Sequence, residues 1–108
     1  MSAITTHVLD VGAGRPATGV PVTLEFRIAS GEWRVLGKSR TDADGRVRDL
    51  LPKMHVLEQG LYALRFDNSS CSKFFPEVVL QFRVDDPRQH YHVPLLLSAH
   101  SYTTYRGS

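Results

Sequence analysis

This chain of 108 residues lacks long hydrophobic runs and cysteine pairs. Its longest uninterrupted apolar stretch covers only residues 93–97, far short of the roughly 20 residues that cross a bilayer as a helix. The single Cys71 cannot form an intramolecular disulfide, so stability has to come from packing, and a reducing compartment is expected. Residues 1–7 also lack the basic-then-apolar order of a secretory signal. We therefore expect a cytoplasmic protein with no membrane span.

An excess of charge of either sign is also missing. The 13 Lys and Arg residues nearly balance the 11 Asp and Glu residues, which leaves a net charge of +2. Because affinity for phosphate backbones needs clustered basic residues, no nucleic-acid partner is predicted. Hydrophobic residues make up 42% and charged residues 22% of the chain, which is typical of a globular protein. We expect one domain across residues 1–108.

Helical periodicity is scarce, and strand-sized segments lie between closely spaced Gly and Pro residues. In residues 20–29 apolar and polar residues alternate strictly, which predicts a strand with one buried and one exposed face. The predicted strands are residues 4–11, 20–29, 32–39, 46–48, 60–66, 77–84, 91–98 and 102–106. Eight short strands at this spacing are typical of a β-sandwich or a small barrel.

Histidines in the predicted strands are the first candidates for chemistry. A lone strand histidine such as His7 is more often a hydrogen-bonded structural residue than a functional one. His90 and His92 are two residues apart, so they share a face at roughly 6.6 to 7 Å. That spacing suits two metal ligands or an acid–base pair, and also a solvated strand start. Because a zinc site needs at least three protein ligands and no motif supplies the third, no metal site is predicted.

Alternation also separates two faces near the C-terminus. Val93, Leu95 and Leu97 form the expected core face, so His92 and Pro94 face a pocket or a subunit contact instead. The last residues carry an aromatic ring, a guanidinium group, a glycine and a serine. Their composition alone is equally compatible with a disordered tail.

Several segments form a pattern that covers nearly the whole chain. They are THVLD at residues 6–10, GRPA at 14–17, TDADGR at 41–46, FFPEV at 74–78, HYHVPLLLS at 90–98 and YRGS at 105–108. In this order they resemble the 5-hydroxyisourate hydrolase family, also called transthyretin-related proteins. The segments at 90–98 and 105–108 are the most specific, and the final tetrapeptide distinguishes the hydrolases from hormone-carrying transthyretins.

The resemblance implies an all-β fold, an eight-stranded two-sheet β-sandwich like transthyretin with little helix. It also implies a homotetramer, a dimer of dimers. In such a fold the first, fourth, seventh and eighth strands share a sheet whose outer face lines a channel between dimers. The sequence departs from the family at residues 67–73, which are too few for the family's helix. We expect a turn or two there.

The implied activity is hydrolysis of 5-hydroxyisourate, a product of urate oxidation, to 2-oxo-4-hydroxy-4-carboxy-5-ureidoimidazoline. The resemblance implies catalytic roles for His7, Arg46, His92 and Ser108. It implies substrate contacts from His7, Arg46, Tyr105 and Arg106. It implies a purine-derived small molecule as the substrate, with neither metal nor cofactor.

Two other classes of function stay open at this point. A transthyretin-like carrier would share the scaffold but would want an apolar channel without converging histidines and arginine. A purely structural or interaction module would leave His7, Arg46 and His92 scattered over the fold. The spatial arrangement of these three side chains therefore discriminates between the classes.

Overall fold

The computed structural model describes residues 2–52 and 54–108. Within these residues the chain forms strands and no helix, so none of it is a helix that could cross a membrane. The all-β prediction is therefore confirmed. The strands are β1 (Ile4–Asp10), β2 (Arg15–Pro16), β3 (Pro21–Arg27), β4 (Trp33–Arg40), β5 (Arg46–Val47), β6 (Gly60–Asp67), β7 (Glu77–Val84), β8 (Tyr91–Leu97) and β9 (Tyr102–Thr104).

One of these strands, β2, was not predicted. We expected residues 12–16 to form only a turn, and the predicted total of eight strands is therefore one short. The chain reverses at Gly14, whose φ is 70°, and Arg15 and Pro16 then pair with Asp10 and Leu9 of β1. Sequence patterns miss such a strand because two residues are too few to show alternation.

The strands form two sheets. In the first, the order is β2-β1-β8-β9, with β5 also paired to β1; in the second, the order is β4-β3-β6-β7. Strands β1 and β8 run parallel, in a register from Ile4 opposite Tyr91 to Asp10 opposite Leu97. The first sheet therefore contains the first, fourth, seventh and eighth predicted strands, as expected. Its outer face combines distant parts of the sequence.

The core lies between the sheets and determines which residues face outwards. In β1, Ile4, Thr6 and Val8 are fully buried, and in β8 Leu95 is fully buried as well. Burying one side chain of this size contributes about 1.5–3 kcal/mol. A slip of one residue would turn the apolar set outwards, so the core holds the register. The alternate residues, including His7 and His92, are thereby placed on the outer face.

The link between β6 and β7 folds into turns, as its short length predicted. The backbone carbonyl of Asn68 accepts hydrogen bonds from the N–H groups of Cys71 at 2.9 Å and Ser72 at 2.8 Å. No helix forms in residues 68–76, all of which the structure describes. The two strands that it joins belong to the second sheet, and Phe75 in the link contacts Tyr102 of β9, with ring centroids 5.1 Å apart.

Candidate active site

A cavity of about 370 Å³ opens on the first sheet, where β1, β5, β8 and the C-terminal residues meet. Its size lies at the lower end of the range for small-molecule sites. Of the residues predicted for the site, the structure brings Arg46, His92, Tyr105 and Ser108 together there. The residues that line it are Thr5, Thr6, Arg46, Arg48, His90, His92, Tyr105, Gly107 and Ser108.

His92 is held in place by β1. It pairs with Thr5 across the parallel ladder, and its Nδ1 lies 2.8 Å from the hydroxyl oxygen of Thr5. Burial lowers the pKa of His92 below its ordinary 6.5, and the nearby Arg46, His90 and His7 lower it further. The neutral ring is therefore favoured near neutral pH, and a neutral imidazole can accept a proton.

His7 lies beside the cavity, directly opposite Arg46 in the pairing of β1 with β5. Its Nε2 lies 2.8 Å from the backbone carbonyl oxygen of Asp44. A carbonyl only accepts hydrogen bonds, so Nε2 carries the proton. In the neutral ring Nδ1 is then the basic nitrogen. The same turn that leads into β5 thus orients the His7 ring.

That turn also positions Arg46. The Asp42 carboxylate accepts hydrogen bonds from the backbone N–H groups of Asp44 at 2.9 Å and Arg46 at 3.0 Å. These bonds, the one from Arg46 above all, lower the pKa of the Asp42 carboxyl. Gly45 adopts a φ of 77°, and a Cβ there would lie 2.4 Å from the Val8 carbonyl oxygen. Only glycine fits this approach, which presses the turn against β1.

The C-terminal tail closes over His92 by backbone contact. The N–H of Gly107 donates to the carbonyl oxygen of His92 at 2.8 Å, and the two residues form an isolated bridge. A Cβ at Gly107 would lie 2.7 Å from Cδ2 of the His92 ring. Tyr105 is mostly exposed and reaches the cavity rim. The tail is therefore a folded wall of the cavity and not a disordered end.

Arg106 does not line this cavity. Its guanidinium carbon lies 4.3 Å from the centre of the Tyr91 ring, a cation–π arrangement. Its Nη2 donates a hydrogen bond to Oε1 of Gln89, and the two atoms are 2.8 Å apart. These contacts fix the tail to Tyr91, the first residue of β8, and to Gln89 just before that strand. The predicted contact of Arg106 with substrate stays a prediction.

Five lining residues were not among the predicted site residues, namely Thr5, Thr6, Arg48, His90 and Gly107. Three of them could have been found by alternation, since Thr5 precedes His7 by two residues and His90 and Arg48 stand two residues from His92 and Arg46. No sequence pattern could have found the contact of Gly107 with His92, because it depends on how the tail returns to β8.

The model of the HIUase/Transthyretin family matches residues 4–107. The chain belongs to the HIUase/Transthyretin family. A 5-hydroxyisourate hydrolase of Caulobacter vibrioides is 43% identical over 118 residues and matches 100% of both chains. One of Mus musculus is 41% identical over 114 residues, covering 99% of this chain and 96% of that relative.

Two solved structures show the same fold. Sea bream transthyretin, crystallised with thyroxine, superposes with a TM-score of 0.88 at 26% identity, covering 98% of this chain and 95% of that one. An (S)-allantoin synthase superposes with a TM-score of 0.84 at 32% identity, over 97% of this chain and 43% of that one. The resemblance read from the sequence and the transthyretin-like sandwich are thereby confirmed.

Proposed function

We propose that this chain hydrolyses 5-hydroxyisourate to 2-oxo-4-hydroxy-4-carboxy-5-ureidoimidazoline in urate degradation. The observation that carries the proposal is the meeting of His92, Arg46 and the C-terminal tail at one cavity, with His7 beside it. Support also comes from relatives named 5-hydroxyisourate hydrolase, which match nearly the whole chain. We propose that one domain, residues 1–108, carries this activity.

The reaction opens a six-membered ring by attack of water on an amide-like carbonyl. Such a step needs a base for the water, positive charge near the developing oxyanion and a firmly oriented substrate. We assign His7 and His92 to activating and orienting the water. Each ring has one basic nitrogen when neutral. Nε2 of His7 donates to the Asp44 carbonyl, so its basic nitrogen is Nδ1, whereas Nδ1 of His92 lies beside the Thr5 hydroxyl. No metal or cofactor is required for these steps.

Arg46 supplies the positive charge in this scheme. Its planar guanidinium can donate two parallel hydrogen bonds to the carbonyl and imide edge of the substrate and can stabilise the oxyanion. Tyr105 and Ser108 complete the wall of the cavity. Ser108 offers its hydroxyl to the substrate.

For Arg106 we propose that it anchors the tail instead of contacting the substrate. Its guanidinium already stacks on Tyr91 and binds Gln89. A cation–π pair at a partly exposed site contributes about 0.5–1 kcal/mol, which is enough to bias the position of a short tail. Through this anchor Arg106 helps to keep Gly107 and Ser108 at the cavity.

The composition of the cavity favours hydrolysis over transport. A carrier of an apolar ligand would need a largely apolar wall. Here the wall includes Arg46, Arg48, His90 and His92, which would lose hydration without compensation against an apolar ligand. A planar, polar purine derivative can instead hydrogen-bond to these groups.

The direct test is an activity assay with freshly generated 5-hydroxyisourate, in which the loss of its absorbance is measured over time. The wild-type chain should accelerate the decay, and His7→Asn and His92→Asn should each lower the rate by about 10²-fold or more. Circular dichroism controls for folding. Near-native rates in both folded variants would refute the assignment, and no acceleration by the wild-type chain would refute the activity.

We further propose a homotetramer, a dimer of dimers, located in the cytoplasm. Strands β7 and β9 end their sheets, and each has one edge without a partner strand among the residues that the structure describes. Such edges are templates for pairing. Light scattering should give four times the chain mass of 12.1 kDa. A monomeric mass at micromolar concentration would contradict the assembly. Fractionation of the source cells tests the location.

A further inference from the structure

A single buried hydroxyl group lies between two histidine rings at the edge of the cavity. The Thr5 side-chain oxygen is 2.8 Å from Nδ1 of His92 and 3.1 Å from Nε2 of His90. The two rings are nearly parallel, at an angle of 17°, with centroids 6.5 Å apart. Thr5 is only 3% exposed, whereas His90 is exposed. The arrangement links a half-buried imidazole to a solvated one through one oxygen atom.

Counting protons shows that the two rings are coupled. The Thr5 hydroxyl has one hydrogen and can donate it to only one ring nitrogen. If it donates to Nε2 of His90, then Nδ1 of His92 carries a proton and Nε2 of His92 is free to act as a base. If it donates to Nδ1 of His92, then Nε2 of His90 must carry a proton. The tautomer of His92 therefore depends on His90.

We propose that Thr5 and His90 form a proton relay that controls the protonation of His92 during hydrolysis, and both are thus positioning residues. The proposal rests on the proposed function. When Nε2 of His92 takes a proton from water, the Nδ1 proton passes to the Thr5 oxygen while the hydroxyl proton passes to Nε2 of His90. His92 becomes neutral, and the positive charge lies on His90.

The relay then runs backwards as the ring of the substrate opens. Nε2 of His92 donates its proton to the leaving nitrogen, the Thr5 hydroxyl returns a proton to Nδ1, and His90 returns one to Thr5. The water proton ends on the leaving nitrogen and all three residues regain their initial state. No other reactant is needed.

The charges around His92 explain why a relay helps. His7 approaches from β1, Arg46 from β5 and Ser108 from the tail. Arg48 follows β5 directly, and His90 directly precedes β8. A cation on His92 is disfavoured by its burial and by Arg46. His90 is exposed, so the same charge on it is solvated.

The test uses Thr5→Val, which removes the hydroxyl at nearly constant shape, and Thr5→Ser, which restores it. The full chain is assayed with 5-hydroxyisourate. We expect Thr5→Val to lower kcat by about tenfold or more with little change in KM, and Thr5→Ser to recover most of the loss. Thr23→Val on β3 of the other sheet is the matched control. Equal kcat values for Thr5→Val and Thr23→Val would overturn the relay.

His90→Phe keeps a ring but removes its nitrogens, and folding should survive because His90 is exposed. The double variant with Thr5→Val should be no slower than the slower single variant, since both interrupt one relay. Additive losses in kcat would overturn the proposal. If Thr5→Val fails to fold, His90→Phe alone tests the relay.

A measurement without substrate separates the relay from the proposed activity. Nitrogen NMR of the His92 ring reports its tautomer. His90→Phe should change the ratio of tautomers in the wild-type background and leave it unchanged in the Thr5→Val background. Identical responses in both backgrounds would overturn the coupling, whereas failure of the wild-type chain to turn over 5-hydroxyisourate would refute only the proposed function.

Discussion

The packing of the tail on the His92 ring makes Gly107→Ala an informative substitution. The added Cβ would stand 2.7 Å from Cδ2 and 3.4 Å from Cγ of His92. Carbon atoms pack at about 3.5–4.0 Å, so either the ring or the tail has to move by about 1 Å. The ring is held by Thr5 at Nδ1, and the tail by its backbone bond to the carbonyl of His92 and by Arg106. Neither can move without loosening the site.

A displacement of about 1 Å at a catalytic group can cost about 10²-fold in rate. We therefore expect Gly107→Ala to lower kcat for 5-hydroxyisourate by roughly 10- to 100-fold, in an absorbance assay of the decay. The Tm should stay close to that of the wild type, because most of the tail is exposed and outside the core. Gly107 does not have a positive φ, so the effect would come from the contact alone.

Gly12→Ala is the matched control for this experiment. A Cβ there would meet only Oδ1 of Asp10, at an ordinary contact distance of 3.5 Å. Its activity should equal that of the wild type. A fully active Gly107→Ala protein would show that the tail does not pack on His92 during turnover. Equal losses in both variants would point to a general effect of the methyl group and would refute the reasoning as well.

Three further predictions follow from the site. Because the pKa of His92 is lowered from 6.5, kcat/KM should fall on acidification only below pH 6.5, and His92→Asn should lack that limb. A limb above pH 6.5 in the rate profile would contradict a lowered pKa of His92. The unfolded chain binds a proton on this histidine at a higher pH than the folded chain, so the free energy of unfolding should decrease as pH falls from 6.5 towards the lowered pKa. Arg106→Gln removes the stacking on Tyr91, so it should raise KM several-fold through a looser tail, and an unchanged kcat/KM would argue against the anchor. Residues appended after Ser108 should depress turnover without changing the mass in light scattering, and full activity of the extended chain would remove Ser108 from the mechanism.

The strands were largely predictable because alternation is a local property. All eight predicted strands begin and end within two residues of their observed limits, and residues 77–84 match β7 at both ends. The outward orientation of His7 and His92 was also predictable, since it needs only a period of two and an apolar core. The two-residue β2 was missed because its existence depends on a partner strand and not on its own composition.

The direction in which the Arg106 side chain points could not be predicted from its neighbours in the sequence. In the sequence it stands between two residues that line the cavity, yet its guanidinium packs on Tyr91. Whether a side chain in an irregular tail points to one side or the other depends on which partners its backbone path brings within reach. Gln89 and Tyr91 are 17 and 15 residues away in sequence, and no pattern within the tail identifies them.

The sequence by itself determined the all-β class, the inward and outward faces of the strands and, through its motifs, the family. These properties follow from residue spacing and composition, which act over a few neighbouring residues. Only the tertiary structure decided that Thr5 links His90 to His92 and that Gly107 rests on the His92 ring. Those contacts depend on the parallel pairing of β1 with β8 and on the return of the tail, which join residues more than 80 positions apart in the first case. Long-range pairing of this kind is set by burial of the whole core, and the cavity forms where these paired segments meet.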